Sequence, residues 1–116
     1  MNKKVVLVAF NGELMCFVHV LLHAIDLHEQ GYDIKVIIEG SATTQVRELQ
    51  DSPEPFAALF QKVKTLGLIA CVCQACAYKM EALDSARQQE LPICADMSGH
   101  PSLAPYLAEG YQVITF

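Results

Sequence analysis

No tryptophan occurs among the 116 residues, and aromatic residues make up only 8%. Basic residues are scarce as well: eight Lys and Arg stand against thirteen Asp and Glu, for a formal net charge of −5, and no basic run exceeds Lys3-Lys4. A grip on phosphates needs clustered positive charge, so direct nucleic-acid binding is not expected. Bilayer-spanning runs are also missing. The longest apolar stretch, Leu14 to Leu27, carries His19, His23 and Asp26 and falls short of a span, so no membrane partner is expected. Met1 to Phe10 is interrupted too early by Asn11-Gly12 to read as a signal peptide. The expected location is cytoplasmic.

What is abundant is apolar surface. Hydrophobic residues reach 53% against 18% charged, which excludes disorder. A chain of this length builds one core, so residues 1–116 are read as a single domain. The apolar excess beyond that core points to contacts between subunits.

Val5-Val6-Leu7-Val8-Ala9 is an uninterrupted β-branched run, the mark of a strand covered on both faces. Glu13 to Glu29 reads as a helix stopped by Gly31, and Asp33 to Glu39 as a second strand. Gly40 to Thr44 reads as a loop of small residues. Ser52-Pro53-Glu54-Pro55 then opens a helix through about Thr65, with Phe56, Leu59, Phe60 and Val63 at helical spacing. Leu68 to Val72 is a third strand, Ala75 to Gln89 a helix, Pro92 to Ala95 a short fourth strand, and Asp96 to Pro101 a loop. Ser102 to Glu109 reads as a short helix and Tyr111 to Phe116 as the last strand. This alternation predicts a three-layer α/β domain with a five-stranded, mainly parallel open sheet and helices on both faces. Function in such sheets sits beyond the carboxyl ends of the strands. Four loops meet that condition: Phe10 to Glu13, Gly40 to Thr44, Cys73 to Cys76, and Asp96 to His100.

Four of the five cysteines lie between Cys71 and Cys94. In a cytoplasmic protein that clustering favours thiol chemistry or metal over a disulfide framework. Cys71-Val72-Cys73-Gln74-Ala75-Cys76 straddles the end of the third strand and the start of a helix, where unpaired N–H groups and the dipole favour thiolate. Lys79 stands one turn beyond Cys76 and adds positive potential. Burial as small hydrophobes is the ordinary alternative for these cysteines. Cys71, Cys73, Cys76 and Cys94 also make a candidate four-thiolate set for zinc or an iron–sulfur cluster, set aside because a second paired knuckle is missing. No resident cofactor is therefore expected. The Cys73–Cys76 spacing allows a reversible disulfide, although the thioredoxin context of a preceding Trp and an intervening Pro is absent.

Cys16, His19 and His23 share one helix face, but no Glu follows His19, so the pattern H-E-x-x-H is missing and a packed or subunit-contact face is the expectation. Asn11, Ser41 and Thr43 offer polar groups at strand ends suited to a small anion, with turn formation and helix capping as the ordinary alternatives. The Gly-Lys-Ser/Thr of a P-loop is absent. Asp96, Ser98 and His100 bring polar side chains to the rim beside the cysteines, where His100 can accept a thiol proton.

Val5-Val6-Leu7-Val8, the apolar first helix and above all Ala70-Cys71-Val72-Cys73-Gln74-Ala75-Cys76 resemble the DsrE/DsrF-like family, some of whose members carry sulfur in sulfur oxidation and tRNA thiolation relays. The resemblance implies a cysteine persulfide at the Cys71–Cys76 segment, with Cys73 at the sulfur-accepting position and Cys76 at the second cysteine. Cys76 or Cys71 would release the sulfur, and His100 or Lys79 would tune charge. It also implies a homotrimer or homohexamer, with sulfur-donor and sulfur-acceptor proteins as partners. Met80-Glu81 stands where the family commonly has Arg-Gly. Two other functions fit the same residues: a non-catalytic module binding a metal or small anion, and a CxxC dithiol redox protein.

Overall fold

The computed structural model describes residues 3–116. Five strands, β1 (Lys4–Ala9), β2 (Asp33–Ile38), β3 (Ile69–Cys73), β4 (Ile93–Cys94) and β5 (Gln112–Thr115), form one parallel sheet in the order β4-β3-β2-β1-β5. The helices are α1 (Leu14–Glu29), α2 (Thr43–Glu48), α3 (Pro55–Thr65), α4 (Gln74–Lys79), α5 (Leu83–Gln88) and α6 (Ala104–Ala108). Val5 to Ala9 are all buried, as the unbroken apolar run requires of a central parallel strand.

The strand order explains how the helices are shared between the faces. From β1 to β4 the chain steps one way across the sheet, and right-handed crossovers keep every intervening helix on one side. There α1 to α5 bury Phe17, Leu21, Val46, Phe60, Val63 and Ala77 against Leu7, Val36, Ile38 and Val72. Phe17 and Phe60 meet edge to face, 5.8 Å between ring centroids, where α1 crosses α3. The return from β4 to β5 runs the opposite way and puts α6 on the other face. Val6, Val8, Ile37 and Cys71 are covered there by Leu103, Tyr106 and Tyr111. Both faces carry helix, with the layers unequal.

Two expected elements differ. Gly40 to Thr44 is not a plain loop: a 3-10 turn at Gly40–Ala42 runs straight into α2, which the polar Thr-Thr-Gln-Val-Arg-Glu sequence did not announce. The single helix expected over Ala75 to Gln89 is two, broken at Met80–Ala82 where Glu81 takes a left-handed φ of 58°. Ala82 N–H there bonds Ala77 C=O and closes α4.

Candidate functional site

Side-chain parity along β3 decides where each cysteine points. Val36 pairs with Ile69 but Ile37 pairs with Cys71, so Ala70 is an extra residue in the strand. This bulge lets both Ala70 and Cys71 face the α6 side, while Val72 returns to the larger core. Cys94 of the neighbouring edge strand lies on the same side, and Cys71 and Cys94 form a disulfide with Cα atoms 5.6 Å apart. Cys71, expected among the reactive thiols, is thus fully buried and bonded, and the four-thiolate metal set is not assembled. The expectation against disulfides is corrected by adjacency: strand pairing brings the two cysteines into bridging range.

Cys73 ends β3 and caps α4. Its Sγ accepts from the Cys76 N–H at 3.4 Å, and its thiol reaches Gly99 C=O at 3.5 Å. His100 approaches from the loop after β4, its Nδ1 3.1 Å from Cys73 Sγ and 3.6 Å from Cys76 Sγ. The loop is a tight hairpin: Met97 and His100 exchange both backbone bonds around Ser98 and Gly99, whose φ values of 51° and 92° are those of a type I′ turn. A second device fixes it against the cysteine segment. Ala75 N–H bonds Gly99 C=O at 2.9 Å, and a Cβ on Gly99 would stand 3.1 Å from that of Ala75. The expected thiolate at Cys73 is not what the environment favours. Burial pushes its pKa up to about 11, aided by the Cys76 thiol and the charge of Glu39, and the single Cys76 N–H pulling downward does not offset this. Cys76 is the half-exposed member of the pair.

Residues 5–116 match the DsrE/DsrF-like family. The chain belongs to that family. An uncharacterized protein of Methanocaldococcus jannaschii is 35% identical over 96 residues, spanning 83% of this chain and 76% of its own length. An uncharacterized protein of Archaeoglobus fulgidus is 46% identical over 43 residues, 37% of this chain and 70% of that protein. No solved structure matches.

In this DsrE/DsrF-like chain, Cys76 also lines a cavity of about 180 Å³ with Gly40, Ser41, Lys79 and Met80, between the 3-10 turn and α4. Three larger hollows among the described residues lie elsewhere and are lined by other residues. Lys79 and Ser41 are therefore brought to the cysteine site. Asn11 and Thr43 are committed locally: Asn11 Oδ1 accepts from Glu13 N–H at 2.8 Å, and the buried Thr43 hydroxyl donates to Gly40 C=O at 2.9 Å. Ser41 Oγ also accepts from Gly12 N–H at 2.8 Å, tying the first two rim loops together. Asp96 accepts from Ser102 N–H at 3.4 Å, and Ser98 shapes the hairpin turn, so both support the loop that carries His100. Cys16, His19 and His23 stay apart from the cluster. His19 Nδ1 contacts Met15 C=O at 2.7 Å, and His23 packs near Phe116 with ring centroids 5.8 Å apart.

Sequence reasoning missed Glu39. It leaves the carboxyl end of β2 half-buried, and burial raises its pKa while the charge of His100 pulls it down. An acidic residue directly after an apolar strand, on the rim already singled out, was the available signal. Together these groups offer two thiols, one imidazole and one carboxylate within electrostatic reach of one another, beside a small, mainly apolar cavity.

Proposed function

We propose that the chain is a sulfur carrier or sulfurtransferase-like protein, taking sulfane sulfur as a persulfide on the Cys73–Cys76 pair. The observation that carries this reading is the convergence of two of the three free thiols, Cys73 and Cys76, on His100 at 3.1 and 3.6 Å, at the carboxyl rim of the sheet. Family membership supports a sulfur-relay role in general terms. Exposure favours Cys76 over Cys73 as the first acceptor, since Cys76 lines the cavity and Cys73 is buried.

The chemistry balances without an external oxidant. His100 takes the Cys76 proton, and the thiolate attacks the outer sulfur of a donor persulfide. The donor S–S bond breaks, and the donor thiolate leaves and is protonated. Delivery reverses the step: an acceptor thiolate attacks the outer sulfur and Cys76 leaves. Alternatively, Cys73 attacks the inner sulfur, giving a Cys73–Cys76 disulfide and hydrogen sulfide. The implied partners are a donor protein and an acceptor protein, and the implied location is cytoplasmic. Among the described residues no helix is long and apolar enough to cross a membrane.

The test is intact-protein mass after incubation with a sulfane-sulfur donor, read with and without reductant. Wild type should gain sulfur in a reductant-labile form, and Cys76→Ser should not. An unchanged wild-type mass, with the thiols free to alkylate, contradicts the proposal. The dithiol redox alternative predicts instead a Cys73–Cys76 disulfide formed by oxidant alone, with no sulfur retained.

A further inference from the structure

The same cluster has a geometry that sulfur transfer does not require. Cys73 Sγ, Cys76 Sγ and His100 Nδ1 all lie within 4.8 Å of one another, and His100 Nδ1 is 3.1 and 3.6 Å from the two sulfurs. A tetrahedral ion with metal–sulfur bonds of about 2.3 Å and a metal–nitrogen bond of about 2.0 Å holds its donors roughly 3.5–3.8 Å apart. A contact of 3.1 Å opens to that value with a few tenths of an ångström of movement. The donors come from two rigid segments, the strand–helix junction and the type I′ hairpin, joined by the Ala75–Gly99 hydrogen bond.

From this arrangement we infer a zinc-binding site with a Cys73–Cys76–His100 ligand set and one open coordination position, a function that stands independently of sulfur carriage. Two thiolates and an imidazole select a borderline or soft ion over magnesium or calcium, which require oxygen donors. Binding releases one proton from each thiol to solvent as the metal–sulfur bonds form. The two thiolates then cancel the ion's double positive charge, so a half-buried site is left without net charge. The Cys76 N–H already directed at Cys73 Sγ supports the bound thiolate. Three protein ligands leave a fourth position for a small exogenous donor. Cys76 borders both the ligand triangle and the small, mainly apolar cavity bounded by Gly40, Ser41, Lys79 and Met80, which gives a small sulfur ligand its approach. The Cys71–Cys94 disulfide keeps the other two clustered cysteines out of competition for the ion.

The experiment uses the full chain freed of metal, titrated with zinc against a chromophoric chelator and, separately, with cobalt. The expected result is one zinc per chain, and a cobalt spectrum with intense tetrahedral visible bands and thiolate charge transfer. Cys73→Ser, Cys76→Ser and His100→Ala should each weaken zinc binding at least about tenfold, while Cys16→Ser should leave it unchanged. His100→Ala alters a half-buried loop side chain, so its loss of binding with an unchanged circular dichroism spectrum is not a folding failure. Binding that survives His100→Ala, or that depends on Cys71 and Cys94 instead, overturns the assignment, as does an octahedral cobalt spectrum or the absence of stoichiometric zinc. The sulfur test is run with chelator present and the zinc test without sulfane sulfur, so failure of one leaves the other standing.

Discussion

At the scale of single residues, two cysteines three positions apart have been given different tasks by burial. Cys73 is fully enclosed and burial pushes its thiol up to about 11, so at pH 8 it is held in the protonated form. Cys76 is open to solvent and to the cavity. Alkylation of the folded, metal-free protein at pH 8 should label Cys76 well before Cys73, read by peptide mass. The Cys73 rate should keep rising as pH approaches 11. Equal labelling at pH 8 would contradict this division. Much of the site was legible at residue level: Cys73, Cys76 and His100 were all readable from their places on the rim. What stayed hidden was the sign of the Cys73 shift. A sequence shows the helix start, which favours thiolate, but not the enclosure that outweighs it.

Elements show where local propensity yields to tertiary demand. Glu81 occupies a left-handed φ of 58° at the break between α4 and α5, a conformation that costs an ordinary side chain about 1 kcal/mol and glycine nothing. The resemblance places glycine at this position, the residue this backbone favours, and nothing in the structure explains Glu81 in its place. Glu81→Gly should therefore stabilise the fold by roughly 0.5–1 kcal/mol, read from the denaturant midpoint, and a loss of stability would show that this φ carries no strain. The periodicity of Met80, Leu83 and Ala86 concealed the break because both short helices present the same face to the core. The bulge at Ala70 was equally hidden, since a strand pattern carries no sign of an inserted residue until its neighbour is known. Across the sheet's other end, the Tyr111 hydroxyl donates to Asp33 at 2.7 Å, tying β5 to β2 over β1. Burial, then the Asp33 carboxylate, pushes Tyr111 up to about 12. Because the folded value lies above the unfolded one of about 10, this tie contributes stability below pH 10 and loses it as pH rises through 12. Phenolate absorbance should titrate near 12, and Asp33→Asn should lower that midpoint. An unchanged midpoint would remove Asp33 from the explanation.

For the whole molecule, the parallel sheet was readable from the alternation of apolar runs and helices. The unequal layers follow only from strand order. Because β5 returns to lie beside β1, the reversal of strand order sits between those two strands, while the thiols sit over β3 and β4. The apolar excess seen in composition reappears as exposed Met15 and Leu22 on α1 and Ile114 on the β5 edge strand. We propose that further copies cover that surface, in the trimer or hexamer that the resemblance implies. Light scattering should give a mass at least three times that of one 12.8 kDa chain, and Leu22→Glu should lower it. A wild-type monomer would contradict the proposal.

The thiols gathered by His100 are proposed to take up sulfane sulfur. The most direct test is to locate the added atom: load the metal-free protein from a sulfane donor, trap persulfides by alkylation, and sequence the peptides by mass spectrometry. The expected result is an extra sulfur between the alkyl group and Cys76, or Cys73 after transfer, with most of that signal lost in His100→Ala. Sulfur found only on Cys16, or on no cysteine, would contradict it.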